Sequence, residues 1–282
     1  MSRRITIIMF TEAFMWRGLL AAILLGPLCA LLGVFVTARR MAFFSDTISH
    51  AALAGIALGF WFGMADPTLP LIGFSLLVAL LLLWLKENTE LLTDTIMALL
   101  LSGSVATGII ILSLLKGFRR QIDTYLFGNI LAIGPQEIWL ATGLFVVVGA
   151  GIFLNLSALT LLTAQEELAH VCGVPVRRDN YLFVIVLTLV VAVSIRLLGI
   201  ILVTSLIVIP PAAARNVSRN LRQQIWFSVA FGLLGGFSGT LASNEWDIPC
   251  GPAIVLACIG LFLITMMIGF VRASQSSKQL QP

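Results

Sequence analysis

The stretch that decides the fold is FFSDTISHAALAGIALGFWFGMA, residues 43–65. Its uncharged part, residues 51–65, is shorter than the roughly 20 apolar residues that a spanning helix needs. The helix becomes long enough only if it begins near Phe43 and includes Asp46 and His50, which are therefore expected within the membrane. These two side chains are four residues apart, so they share one helix face. An ionisable pair at that depth is costly and usually faces a partner, a cavity or an ion.

Composition places the whole chain in the membrane. The 282 residues are 59% hydrophobic and 11% charged, against about 25% charged in soluble domains, and the mean hydropathy is +1.06. We therefore expect an all-α, polytopic integral membrane protein. The net charge of +4 fits Lys and Arg in loops beside anionic lipid headgroups. Because the sequence has no polar domain with a basic face, nucleic acid is excluded as a partner.

Uncharged runs of about 20 residues predict the membrane spans. The long runs cover residues 18–38, 67–85, 95–115, 138–165, 197–214, 223–244 and 248–271, and two shorter ones cover residues 51–65 and 180–195. We count eight or nine transmembrane helices in a single domain, residues 1–282, without a soluble module or a tandem repeat.

Proline and glycine add local detail to these spans. Pro210 and Pro211 interrupt the run 197–214 and predict a break in that helix, which is tolerated only against protein or a cavity. Four glycines of the next run are spaced for close helix packing rather than for ligand binding. They are Gly232, Gly235, Gly236 and Gly239.

The distribution of Lys and Arg predicts the orientation. Ten of these residues fall on the side assigned to the cytoplasm and seven on the other. The ten are Arg39, Arg40, Lys86, Arg177, Arg178, Arg215, Arg219, Arg222, Arg272 and Lys278. The C-terminal tail, residues 273–282, is then cytoplasmic. With nine spans the N-terminus is outside, but residues 1–16 can instead form an interfacial helix, which leaves the side of the N-terminus open.

The pair formed by Asp46 and His50 offers a carboxylate and an imidazole, which is half of a transition-metal ligand set. An alternative is polar contact within the bundle, in which the two side chains bond each other or nearby backbone. Asp46 can also pair with Arg39 or Arg40. Two ligands from one helix do not complete a metal site, so a further ligand must come from elsewhere.

The best donor of a third ligand is the segment SNEWDIPCGP, residues 243–252. It is the only acidic stretch between the last two spans. Asp247 precedes Pro249, which suits a carboxylate fixed at a helix start; the plain alternative is an N-cap. Cys250 follows three residues after Asp247 and is a candidate thiol near the site.

The longest polar stretch on the predicted cytoplasmic side is TAQEELAHVCGVPVRR, residues 163–178. It predicts a short helix from Glu166 to Cys172 that is stopped by Gly173 and Pro175. Such a helix can dock on a cytoplasmic partner, or the stretch is an ordinary polar loop. The sequence contains no HExxH, GxSxG or GxxxxGK[ST] motif. We therefore predict that the chain is not an enzyme and that any ATP is hydrolysed by another subunit.

Several blocks of the sequence resemble one family, the zinc/manganese/iron permeases of ATP-binding-cassette importers. FSDTISHAALAGIALG at 44–59 closely resembles the family signature, and YLFGNIL at 125–131 its motif ahead of the middle helix. The block at 199–214 and DIPCG at 247–251 resemble later conserved blocks. The resemblance keeps its order from about residue 15 to 270.

This resemblance implies a fold related to the vitamin B12 and iron-chelate importer permeases. It also implies a homodimer with the pathway at the shared interface, two copies of an ATPase subunit, an extracytoplasmic metal-binding protein and a bacterial plasma (inner) membrane location. Mn²⁺, Zn²⁺ or Fe²⁺ is expected as the transported substrate, with no permanently bound cofactor.

The same resemblance implies roles for individual residues. The pore metal site corresponds to Asp46, His50 and Asp247. Coupling to the ATPase corresponds to Glu166, Glu167, Ala169 and Gly173. The sequence departs from the family pattern at Ala54, where the family often has proline, and at Cys250, where it often has serine; a thiol there favours softer ions such as zinc.

The function predicted from the sequence is thus that of a permease in an ATP-driven importer of a divalent transition metal, working by alternating access. A gradient-driven cation transporter or channel explains the buried pair equally well but needs no coupling segment. An importer of a metal chelate is the other alternative, and it should have a wide pocket without a metal-ligand pair.

Overall fold

The computed structural model describes residues 13–115, 125–126, 128, 133–164, 169, 171–173, 175–246 and 248–278. Within these residues the elements are all helical. They are α1 (Ala13–Ala38), α2 (Phe44–Trp61), α3 (Thr68–Asn88), α4 (Thr93–Leu114), α5 (Pro135–Leu154), α6 (Leu156–Ala164), α7 (Val176–Leu198), α8 (Ile200–Val217), α9 (Leu221–Trp246) and α10 (Cys250–Lys278).

Eight of these ten helices are long and apolar enough to cross a bilayer, which confirms the predicted number of spans. The exceptions are α2 and α6. The run predicted at 138–165 is divided at Asn155 into α5 and the nine-residue α6. The interfacial segment is expected at residues 1–16. Residues 13–16 belong to α1, and residues 1–12 lie outside the described part, so an interfacial segment there stays a prediction.

Helix α2 is enclosed by the protein, which explains how it tolerates polar residues. Thirteen of its 18 residues are buried, and it packs against α3, α4, α7 and α8. Gly55 and Gly59 bring α3 close, because a Cβ on Gly55 would lie 2.6 Å from the carbonyl oxygen of Pro70 and a Cβ on Gly59 2.7 Å from Pro67. The sequence around the ionisable pair is therefore buried mainly in protein rather than in lipid.

Helices α1, α9 and α10 pack closely through the four glycines of α9. Gly232 faces Gly26 and Gly236 faces Ala22 of α1, so α9 runs antiparallel to α1. On its other side Gly239 lies against Ile254 of α10. The predicted role of these glycines in close helix packing is confirmed.

The predicted break at the two prolines is wrong, because α8 continues through both. Each proline lacks an N–H and leaves one carbonyl of the preceding turn without its helical hydrogen bond. The carbonyl oxygen of Ile207, which a residue at 211 would otherwise bond, lies against Gly33 of α1. Both prolines are buried, and packing from neighbouring helices keeps α8 continuous where its own hydrogen bonds are missing.

A tight corner joins α1 to α2. Arg40 has a positive φ of 56°, its N–H bonds the carbonyl of Thr37 at 3.2 Å, and the N–H of Met41 bonds the carbonyl of Val36 at 2.9 Å. This pair of bonds is the Schellman arrangement that ends a helix at a left-handed residue. It fixes the direction in which the chain enters α2, and thereby the position of the ionisable pair.

Candidate metal site

The structure places Asp46 and His50 side by side near the start of α2. His50 Nε2 lies 3.8 Å from Asp46 Oδ1, which is too long for a hydrogen bond. Two ligand atoms at about 2.1 Å from one ion lie at most about 4.2 Å apart, so the two atoms can bind the same transition metal. The two side chains are therefore not hydrogen-bonded to each other, and their separation is compatible with a shared metal ion.

The alternative partners suggested by the sequence are not used. Within the described part of the chain, the only ionisable side chain found within 4 Å of the Asp46 carboxylate is His50. Arg39 is engaged elsewhere, with Thr163 and Asn180. The carboxylate is thus not neutralised by the basic residues that precede α2.

The pair lies on the least buried face of α2, a stripe that the described residues leave partly uncovered. The side chains of His50 and Asp46 are 31% and 44% exposed, and Leu53 and Trp61 continue the same uncovered stripe. An ionisable pair facing lipid is unfavourable. A second protein surface over this stripe would remove that cost.

No third His, Cys, Asp or Glu joins the pair among the residues that the structure describes. Asp247 lies outside them, so its predicted role as a ligand stays a prediction. Its described neighbour Trp246 ends α9. Because α9 is antiparallel to α1, Trp246 lies at the level where α1 begins, whereas Asp46 follows the corner where α1 ends.

Cys250 is the first residue of α10 and contacts α9. Its Sγ lies 3.8 Å from Thr240 Oγ1. None of the described contacts joins this thiol to Asp46 or His50, so its predicted influence on selectivity also stays a prediction.

A charge cluster that the sequence did not predict lies where α2 connects to α3. Arg196, in the last turn of α7, approaches Asp66 at 3.3 Å and Glu137 at 3.6 Å, and donates to Thr68 Oγ1 at 2.7 Å. The hydrogen bond from the Thr68 side chain, with a smaller contribution from Arg196, lowers the pKa of Asp66 although burial opposes it. In the sequence, the signal for this cluster is Arg196 itself, a lone arginine in the last turn of an apolar helix, where cations are favoured.

The predicted coupling segment is described only in part. Ala169 is helical and fully buried, and Gly173 has a φ of 79°, as expected for a glycine that ends a helix. Glu166 and Glu167 lie outside the described residues. Their coupling role, like that of Ala169 and Gly173, stays a prediction.

Comparison with known proteins agrees with this architecture. The family model described as the ABC 3 transport family matches residues 11–269. The chain belongs to the ABC 3 transport family. The high-affinity zinc uptake system membrane protein ZnuB of Haemophilus influenzae is 32% identical over 88% of this chain and 95% of the relative. The manganese import system permease protein ScaB of Streptococcus gordonii is 31% identical over 90% of this chain and 91% of the relative.

Solved structures give the same result. PsaBC from Streptococcus pneumoniae, solved in complex with a Fab, aligns with a TM-score of 0.82 and 29% identity over 94% of this chain and 95% of that one. An inward-facing ABC transporter of the metal-chelate type aligns with a TM-score of 0.72 over 89% and 85% at 18% identity, and shows the fold alone. The resemblance stated from the sequence, the fold class and the function of an ABC importer permease are confirmed.

Proposed function

We propose that this family member is the permease through which an ATP-driven importer moves zinc, manganese or iron into the cytoplasm. The observation that carries the proposal is the carboxylate–imidazole pair of Asp46 and His50, whose ligand atoms lie 3.8 Å apart on the least buried face of α2, a helix packed among candidate spanning helices. Relatives named for zinc uptake and for manganese import support the choice of metal class.

The ligand chemistry suits a passing divalent transition metal. Carboxylate oxygen supplies negative charge, and imidazole nitrogen favours transition metals over calcium and magnesium, which prefer oxygen ligands. The ion is the substrate and must leave again. With two ligands from each protomer, the site would bind the metal ion with moderate affinity, so that the ion can both enter and leave.

A homodimer accounts for the remaining ligands. If two copies meet along the uncovered stripe of α2, the second pair adds another carboxylate and another imidazole, making the four ligands of a tetrahedral site. The same contact removes the half-exposed pair from lipid. Asp247 is proposed as a further carboxylate on the transport path. Its neighbour Trp246 lies at the level where α1 begins, so this carboxylate would be at the end of the helix bundle opposite to the α1–α2 corner.

ATP hydrolysis is assigned to a separate subunit, present in two copies. The segment from Glu166 to Gly173 is proposed to contact this ATPase subunit and to be moved by it. An extracytoplasmic binding protein is proposed to deliver the ion. The bacterial plasma membrane is the proposed location, supported by relatives from bacteria. Rocking of the packed helices would then open the pair alternately to the two sides.

The test is the metal content of cells grown in limiting zinc, manganese or iron, with and without this chain. We expect a lower content of at least one of these metals when the chain is absent, restored by a plasmid-borne copy. An unchanged content of all three refutes the proposal. A gradient-driven transporter would retain uptake without a co-purifying ATPase, and a chelate importer would be inhibited by chelated rather than free metal.

A further inference from the structure

Arg39, at the end of α1, holds three helices together. Its Nε donates to Thr163 Oγ1 of α6 at 3.2 Å, and its Nη1 donates to Asn180 Oδ1 of α7 at 3.0 Å. The guanidinium carbon also lies 4.4 Å from the ring centroid of Phe183, a cation–π contact. One side chain therefore fixes α1 to both α6 and α7.

These two contacts lie on either side of the predicted coupling segment. α6 ends at Ala164 and α7 begins at Val176, so Thr163 lies in the last turn before the segment and Asn180 in the first turns after it. A movement of the segment that is passed on to the end of α6 or the start of α7 would therefore shift a group that Arg39 bonds.

On the other side of Arg39, the chain passes through a tight corner into α2, which carries Asp46 and His50. The next residue, Arg40, is held in the left-handed region with a φ of 56°, a conformation that persists only where the surroundings enforce it. Met41 is buried, and its carbonyl accepts the N–H of Phe44 at 2.9 Å. Because this corner is short and fixed by hydrogen bonds, a displacement of Arg39 carries the first turn of α2, including Asp46.

We propose that Arg39 is the positioning residue that transmits movement of the coupling segment to the metal pair. This inference rests on the proposed function and adds a physical connection between its two sites. Arginine is required because its planar group presents donors at fixed angles and also stacks on an aromatic ring. Lysine keeps the charge, but its single ammonium group lacks the two separate, fixed donors with which arginine bonds Thr163 and Asn180 together.

The experiment compares Arg39→Ala, Arg39→Lys and Thr163→Val with two controls in proteoliposomes that contain the whole complex. Thr163→Ser keeps the acceptor hydroxyl, and Arg177→Ala removes an exposed ion pair to Glu87 at the start of the same helix α7. Metal ions transported per ATP hydrolysed are measured with zinc and with manganese.

We expect this ratio to fall by about 5- to 150-fold for the two Arg39 variants, the usual range of coupling between sites, while ATP hydrolysis persists. Thr163→Val should fall less, and both controls should match the wild type. An unchanged ratio in Arg39→Ala overturns the inference. So does a parallel loss of transport, hydrolysis and assembled complex in Arg39→Lys and Thr163→Val, because that pattern indicates a merely structural role.

A second measurement does not depend on the metal. Leu53 lies on the same stripe of α2 as the pair, where the proposed dimer contact covers it. The labelling rate of a Leu53→Cys variant, in a Cys172→Ser background, therefore reports how far movement of α2 opens that contact. A non-hydrolysable ATP analogue should change this rate with Arg39 present and leave it unchanged in Arg39→Ala. A nucleotide effect of equal size in both overturns the inference. The wild-type complex failing to carry zinc, manganese or iron would count only against the proposed function.

Discussion

Replacing Gly33 by alanine tests whether close approach of α1 and α8 is what keeps the proline-containing helix in place. A Cβ at this position would lie 1.9 Å from the carbonyl oxygen of Ile207 and 2.8 Å from Cγ of Pro211. Real Cβ contacts below 3.0 Å are essentially absent, so the two helices must separate by roughly 1 Å or more. The atom in the way is backbone, which cannot move aside by changing a rotamer.

The expected cost follows from overpacking of a close-packed interior, about 1 to 3 kcal/mol and more when backbone must shift. By the scaling for soluble domains of 150–250 residues, each kcal/mol lowers the unfolding midpoint by about 2 to 4 °C. We therefore expect Gly33→Ala to lower the midpoint of the detergent-solubilised protein by several degrees, measured by thiol-reactive fluorescence or by loss of monodisperse protein on heating.

The matched control is Gly143→Ala in α5, where an added Cβ meets no atom within 4 Å. Alanine is the better helix former by up to about 1 kcal/mol, so this variant should be neutral or slightly more stable. Equal midpoints for Gly33→Ala and the wild type would refute the close approach. An equal loss in both variants would show that helical glycine matters here for a reason other than space.

Three further predictions concern other regions of the molecule. Arg40→Gly should raise the free energy of unfolding by up to about 1 kcal/mol, because glycine adopts a φ of 56° without strain; a loss of stability in thermal unfolding would contradict this. The pKa of Asp66 is lower in the folded protein than in the unfolded chain, where it is about 4. The ionised carboxylate therefore stabilises the fold at pH values above about 4, and this stabilisation is lost as the pH falls through the folded pKa. Asp66→Asn should accordingly lose less stability than the wild type on acidification, and equal losses would argue against this contribution. Cys172 is exposed whereas Cys29 and Cys258 are buried, so a membrane-impermeant maleimide should label Cys172 in inside-out vesicles but not in intact cells; the reverse pattern would invert the assigned orientation.

Much of the fold is predictable because apolar run length directly reports the requirement of the bilayer. The two shorter runs were the informative ones. That at 180–195 extends to α7, and that at 51–65 extends back to Phe44 to give α2, in agreement with the argument that Asp46 and His50 belong to the helix.

The predictions that failed or remain open depend on tertiary contacts. Where α8 continues through its prolines, Ile207 and Pro211 lie against Gly33 of α1, about 175 residues away in sequence, and no local pattern indicates such a contact. The contacts of Arg39 with α6 and α7 were equally hidden, because in the sequence it is one basic residue of a pair beside a span. Its partners Thr163 and Asn180 carry no charge that would have pointed to it.

The site is half predictable for the same reason. Helical periodicity alone places Asp46 and His50 together, since residues four apart share a face. Ligands from other helices or from a second copy follow from packing of whole surfaces, which one sequence does not specify. The exposed stripe of α2 is defined by the burial of its other residues against α3, α4, α7 and α8, which are tertiary contacts.

The central claim, that the Asp46–His50 pair binds the transported ion, is tested most directly by equilibrium binding of zinc and manganese to the purified permease–ATPase complex. The variants are Asp46→Asn and His50→Gln, with Asp94→Asn as control, because Asp94 lies in the first turn of the neighbouring helix α4. Changes to groups that merely support a metal ligand already cost about 10- to 100-fold in affinity. The account predicts a loss at least that large in both pair variants and wild-type affinity in the control, whereas unchanged affinity in both pair variants would contradict it.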